Sequence, residues 1–358
     1  MKIYKIFIYL ILVLASVSCT KRVDFDEVQV QPLLVVNGLQ RVGGTPNLCI
    51  EKSRFFLSNE SDITVKGVQV KLFVNDEYVE NLIVVDSMFY NDENYYETNY
   101  KYSYCYGTYV YQTGDRVCFE VSADDFESVT VSVVMPDSPT VLGFDTTRTE
   151  LIYNPSYEDS PYSYQDVDAE GNPCSIDPIW EWDENFENYE IVGYDTIYPG
   201  SISAVDAYFD FHFNDPQGYQ YYNIIPVKGF RSWRSSDPVF MQADNLTSLS
   251  DFEYYGNDER NLFSDMLFQG KDYHLEFFAS YVSVYNDSVM FSVDFSCVDE
   301  NYYKYIQSCE SQENELLGEV SYLFGEPTQI YSNVEGGIGI VGAMSAPVRS
   351  SFTVKFHH

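Results

Sequence analysis

Five positions in the middle of the chain have a spacing that could hold a metal ion. Asp166, Asp168, Glu170, Gly171 and Asp177 follow the order D-x-D-x-E-G, with an acid at the twelfth position. In such a loop alternating carboxylates present hard oxygens to one calcium ion, and the Gly permits a sharp reversal. Three features argue against calcium: Pro173 holds the eighth position, Glu replaces the usual Asp or Asn at the fifth, and no flanking helices are expected. The alternative is a solvated hairpin tip at Ala169-Glu170-Gly171-Asn172.

Two aromatic clusters could bind a ligand by stacking. Tyr100, Tyr102, Tyr104 and Tyr106 alternate with Lys101, Ser103, Cys105 and Gly107, so the four rings share one face of an extended strand. That face is either core or an open platform for a sugar, a peptide or a partner protein, because Tyr offers a large contact area at low entropic cost. Trp180 and Trp182 share one side of an extended segment beside Glu181, Asp183 and Glu184. Their indoles could stack on a sugar ring or dock the segment onto its own domain.

Catalytic chemistry is sparse. Of four His, His212 and His274 sit among aromatic and apolar neighbours, and His357 and His358 end the sequence. Such positions read as packing or surface. There is no Gly-x-Ser-x-Gly, no His-Glu-x-x-His, no P-loop and no dinucleotide fingerprint. A triad or a His-ligated metal enzyme is therefore not expected. Paired carboxylates carry no signal, since 55 acids make some pair inevitable. The reading is a non-enzymatic protein with no catalytic residues.

The 358-residue chain carries 20 basic and 55 acidic residues, a formal charge of −35. That charge repels phosphate backbones and argues against a nucleic-acid partner. Apolar content of 45% is too high for a disordered acidic chain, and 33 Tyr with 25 Phe favour pleated, half-buried surfaces. Short strands are expected at Pro32–Leu39, Val68–Val74, Leu82–Asp86, Arg116–Val121 and Ser128–Met135, bounded by turn signals. They suggest an immunoglobulin- or transthyretin-like sandwich over residues 30–136. Pro136-Asp137-Ser138-Pro139 then stops strand pairing.

Residues 140–358 read as a larger β-rich domain with one prominent helix. An acidic Tyr- and Trp-rich insertion near 154–189 shows no clear period. Strands are expected at Ala204–Phe213 and Tyr219–Val227, joined as a hairpin through Asn214-Asp215-Pro216-Gln217-Gly218. Others are expected at Tyr273–Tyr281, Val289–Phe295, Ile338–Met344 and Ser351–Phe356. Asp299 should cap a helix over Glu300–Leu317, with Tyr302, Tyr305, Ile306 and Cys309 on one face.

The first residues point to export. Lys2 and Lys5 precede an apolar run at Ile6–Val17, right for a signal-peptide core and too short to span a bilayer as a mature helix. Residues 1–18 end in small residues before Cys19, as in a bacterial lipobox, so Cys19 is the expected lipidation site and 19–29 a tether. Several acyl chains would hold the protein to a membrane, at about 0.8 kcal/mol per buried methylene. Six further Cys remain: Cys49, Cys105, Cys118, Cys174, Cys297 and Cys309. In an exported chain they could form three disulfides. Cys105 with Cys118 and Cys297 with Cys309 are nearest in sequence, leaving Cys49 with Cys174; unpaired buried thiols are the alternative.

An ordered set of motifs runs through the chain. Pro32-Leu33-Leu34-Val35-Val36-Asn37-Gly38 opens it, and Asp215-Pro216 with Tyr221-Tyr222 follows. Next come Phe263-Ser264-Asp265, Phe268-Gln269-Gly270-Lys271 and Glu300-Asn301-Tyr302-Tyr303-Lys304-Tyr305. Glu326-Pro327, Tyr331-Ser332-Asn333 and Gly336-Gly337-Ile338-Gly339 complete it. In this the chain resembles a Bacteroidota outer-membrane lipoprotein family catalogued as domain of unknown function 4249. The resemblance implies lipid attachment to the outer membrane; the acidic Asp24, Asp26 and Glu27 after Cys19, although preceded by Lys21 and Arg22, favour display at the cell surface. It further implies a role as accessory to a TonB-dependent, SusC-like transporter barrel that takes up a nutrient. A structural or adhesive surface lipoprotein is the alternative.

Overall fold

The computed structural model describes residues 31–54, 62–89, 100–182, 189–229, 233–235, 237–241, 262–284, 288–317 and 329–356. The expected leader 1–18, the expected lipidation site Cys19, the expected tether 19–29 and the His357-His358 end lie outside these residues. Among the described residues the chain is mainly β.

Period-two alternation builds the first half. β1 (Leu34–Arg41) and β2 (Asn47–Lys52) bury Leu34, Val36, Leu48 and Ile50 at every second position. β3 (Gln69–Val74), β4 (Glu77–Asn81), β5 (Ile83–Phe89), β6 (Tyr100–Tyr106), β7 (Arg116–Ser122) and β8 (Val129–Val134) follow. One layer has the order β4-β3-β7-β8 and the other contains β1-β2-β6-β5. Leu34, Val36, Leu48, Ile50 and Cys105 from one layer share a core with Val70, Leu72, Phe119, Val121 and Val131 from the other. Each such side chain contributes about 1.5–3 kcal/mol on leaving water, which holds the sandwich closed.

The second half contains β9 (Thr140–Tyr153), β10 (Asp166–Val167), β11 (Pro173–Trp182), β12 (Tyr189–Ile197), β13 (Ile202–Asn214), β14 (Tyr221–Lys228) and β15 (Trp233–Arg234). β16 (Leu262–Ser264), β17 (Asp272–Ser283) and β18 (Ser288–Val298) come next, then the helix Glu300–Leu317, β19 (Val341–Met344) and β20 (Val348–Lys355). The sheet β15-β17-β13-β9 packs on β14, β18 and β20. Their core is aromatic: Phe209, Phe211 and Phe213 of β13 meet Phe291 and Phe295 of β18 at ring separations of 4.8–4.9 Å.

Two expectations change here. The segment 154–189 is not without regular structure: β10, β11 and β12 form a small antiparallel sheet. Its alternation is weak because both faces are wet, with the consecutive Ile176, Asp177 and Pro178 all exposed. The expected hairpin at Asn214–Gly218 is absent as well. β13 pairs with β9 and β17, whereas β14 pairs with β16 and β18. The turn instead carries the chain across the core, so that Phe213 and Tyr222 meet edge to face at 5.1 Å. Alternating aromatics on both strands suit either arrangement, and burial of both faces selects the crossing.

The two cores change over at Met135 and Pro136, yet Leu33–His358 is one compact unit. β19 returns to pair in parallel with β1, Gly38 opposite Val341, and Val334, Val341 and Ala343 enter the first core. A nine-stranded sheet thus runs through both halves. The long helix is held at its start by Asp299, whose carboxylate accepts the Asn301 amide (3.1 Å) and the Ala343 amide of β19 (2.6 Å). Tyr302 lies against Gly342, where a Cβ would come within 2.7 Å of it. Among the described residues no helix is long and apolar enough to cross a membrane.

Candidate functional site

The Tyr row of β6 is turned away from the core. Ser103 and Cys105, at 1% and 0% exposure, point inward beside Leu48 and Ile50, while Tyr102 and Tyr104 are half-buried on the outer face and Tyr106 is exposed. The small residues go inward because the neighbouring strands already fill that layer with branched side chains. Tyr104 and Tyr106 stack with centroids 6.1 Å apart. On β5, Val85 lies opposite Tyr104 and Ile83 opposite Tyr106, both exposed. Tyr100 pairs with Phe89 at the start of the strand; its side chain lies outside the described residues. The result is an outward shelf of rings and aliphatic groups.

The shelf leads into a cleft of about 480 Å³. β2 supplies its floor, since Cys49 and Glu51 alternate with the inward Leu48 and Ile50. Val35 lies opposite Glu51 on β1, and Tyr102 closes the side toward the shelf. Lys52, Arg54 and Ile63 complete the wall. Burial raises the Glu51 carboxyl above its ordinary range, although Arg54 draws it back. Burial, then the Glu51 charge, pushes the Cys49 thiol up. A thiol so perturbed is a poor nucleophile at neutral pH. The arrangement suits stacking and hydrogen bonding, with two cationic side chains at one end.

At the opposite end of the strand a carboxylate fixes the exit from β6. Glu80 of β4 accepts the amides of Thr108 and Tyr109, both at 2.8 Å, and the Thr108 hydroxyl at 2.9 Å. Gly107 makes this approach feasible, because a Cβ there would stand 2.6 Å from the carboxylate. Burial alone would raise the Glu80 pKa, but these three donors more than offset it and the pKa falls.

The other expected sites are not assembled. Asp168 is saturated by its own turn, accepting the Glu170 and Asn172 amides, the Asn172 side chain and the Tyr198 hydroxyl. Asp166 accepts the Ile176 amide, and Asp177 the Ser175 hydroxyl. Glu170 is exposed. Among the described residues no group of three or more His, Cys, Asp or Glu could hold a metal, so the calcium loop gives way to the hairpin tip at 169–172. Trp180 and Trp182 face Ile191 and Tyr189 across β11 and β12; their side chains lie outside the described residues.

None of the six cysteines is bridged. Cys105 points into the first core while Cys118 turns outward from β7, so the nearest pair in sequence faces apart. Cys297 is buried in β18 and Cys309 is half-buried on the helix, and Cys174 is buried on β11 while Cys49 belongs to the cleft. His212 and His274 stack at 3.9 Å, with the His274 Nδ1 2.9 Å from Asp210, on the outer side of β13 and β17.

Sequence reasoning found the Tyr row but missed Glu51, Lys52, Arg54 and Ile63. The alternation of Asn47–Lys52 could have placed Cys49 and Glu51 on one face; nothing local says that this face continues into Tyr102. No curated protein matches the chain. A family model covers residues 20–349, and the protein belongs to the family described as Domain of unknown function (DUF4249).

Proposed function

We propose that the protein is a non-enzymatic, lipid-anchored outer-membrane protein that captures a nutrient for a TonB-dependent transporter, with the shelf of β6 as its capture face. The observation that carries this reading is the outward row of Tyr102, Tyr104 and Tyr106 leading into the cleft at Glu51, Lys52 and Arg54. Rings turned to solvent on a folded sheet offer stacking area that a purely structural face does not need. The ligand class is a sugar or peptide: the Tyr faces take its rings and the cleft rim its polar groups. Anchoring rests on the lipobox reading of Cys19 and export on the leader.

The test begins with the tagged native protein, extracted gently from the outer membrane. A stoichiometric TonB-dependent barrel is the expected companion, and Tyr102→Ala with Tyr104→Ala should impair uptake while leaving that association intact. A lone lipoprotein with surface labelling preserved would overturn the transporter role. It would favour adhesion through β5, which ends its sheet and exposes Ile83 and Val85.

A further inference from the structure

The corner where β13 passes to β14 contains two buried carboxylates with unequal fates. Asp215 opens the turn at 2% exposure, and Asp265 follows β16 at 0%. Because Tyr221 of β14 pairs with Ser264 of β16, the loops 215–220 and 265–271 lie side by side. The Asp265 amide donates to the Gln220 carbonyl at 3.1 Å. Asp215 is well served: it accepts the Tyr222 hydroxyl and the Gly270 amide, each at 2.5 Å. Among the described residues neither oxygen of Asp265 meets a donor at full hydrogen-bond geometry, the Gln220 amide being only nearby.

An unpaired buried carboxylate costs several kcal/mol, so it takes either a proton or a cation. Burial raises Asp265 first; the nearby Gln220 amide pulls back, the Asp215 charge raises it again, and the pKa is pushed up to about 6. A second buried acid, Asp215, stands in the same corner, joined to the 265–271 loop through the Gly270 amide. We infer that this corner binds a hard divalent cation of the calcium class between Asp265 and Asp215. Two carboxylates balance a double positive charge. No third acidic, His or Cys ligand joins them among the described residues, so the remaining positions fall to backbone carbonyls and water. An all-oxygen set favours calcium over zinc or copper. The cation would tie together two loops that join opposite layers of the aromatic core.

The experiment uses the full mature chain, stripped with a chelator and kept in 0.1 M KCl to weaken adventitious surface binding. Calcium is the probe, read by thermal melting and calorimetry. Wild type should take up one calcium in a saturable step, and its Tm should rise by roughly 2 °C at ten times the dissociation constant. Asp265→Asn should lose that rise, whereas Asp168→Asn, at the hairpin tip, should keep it. Tyr-sensitised terbium luminescence on wild type alone, displaced by calcium, provides a readout that does not depend on a variant folding. A wild-type Tm indifferent to calcium, a terbium signal with no saturable component, or a full calcium response in Asp265→Asn would each overturn the inference. If Asp265→Asn instead raises the metal-free Tm at pH 7 while wild type ignores calcium, the corner holds an unpaired acid and no cation.

Discussion

Glu80 offers a quantitative test of how the Tyr strand is held. Its carboxylate, on one layer of the sandwich, accepts three hydrogen bonds from Thr108 and Tyr109, which directly follow β6 of the other layer. Bonds to a charged acceptor contribute more than neutral ones, but these donors sit near solvent and would be partly rehydrated on its loss. About 1 kcal/mol each is a fair magnitude, so Glu80→Ala should destabilise the protein by about 3 kcal/mol. Glu80→Gln keeps one neutral acceptor and should cost about 1–2 kcal/mol. The pH dependence separates charge from packing. Because the folded pKa is depressed, the stabilisation is fully present above the unfolded value, about 4.3, and is lost as pH falls through the folded value. The gap between wild type and Glu80→Gln should therefore shrink between pH 5 and pH 3. Urea unfolding at pH 7 and pH 3.5 measures both quantities. A Glu80→Ala loss below about 0.5 kcal/mol, or a gap to Glu80→Gln that ignores pH, would refute the assignment.

Other perturbations address the face, the boundary and the cleft. Ser103→Phe should cost about 1–3 kcal/mol by overpacking the first core, while Tyr106→Ala on the outer face should cost less than about 1 kcal/mol; paired chemical melts decide, and equal losses would contradict the orientation of β6. Residues 30–136 expressed alone should be far less stable than the full chain, because β1 loses its partner β19 and the core loses Val341 and Ala343; a cooperative unfolding transition matching the full protein would show otherwise. Cys49 should alkylate slowly with iodoacetamide at pH 7.5. Glu51→Gln should speed it less than tenfold, since burial is the larger cause of the raised thiol pKa; a larger gain would reverse that order.

The parts of the fold written in local pattern were legible. Alternation at Leu34, Val36 and at Val117, Phe119, Val121 marks strands, and Asp299 marks the start of the long helix. What alternation cannot state is a partner. Phe213 and Tyr222 flank a good turn sequence, and only the competing claim of β9 and β17 on β13 shows that the turn crosses between layers. The same limit applies to the site. In Tyr-Lys-Tyr-Ser-Tyr-Cys-Tyr both alternate sets are plausible core, and the choice is made by Leu48 and Ile50, some fifty residues away. Acidic spacing misled at Asp166–Asp177 because a tight turn satisfies Asp168 with its own amides. Asp265, whose oxygens meet no donor at full hydrogen-bond geometry among the described residues, has no distinctive spacing at all.

Charge acts at two ranges, and the two select differently. A chain with a net charge of −35 discourages anions on approach, but its field decays over about 8 Å at physiological ionic strength. Within the cleft the nearest charges are those of Lys52, Arg54 and Glu51, held where burial keeps Glu51 easier to protonate than an ordinary carboxyl. A ligand that is neutral overall meets no barrier on approach, and it can still place a hydroxyl or carbonyl against the cationic rim once it arrives. The stacking shelf contributes area without charge, so affinity from Tyr102 and Tyr104 is insensitive to salt while the rim contribution is not. Sugars and uncharged peptides satisfy both conditions at once. Strongly anionic polymers satisfy only the second, so the shelf and the acidic surface together would select a neutral ligand over an anionic one.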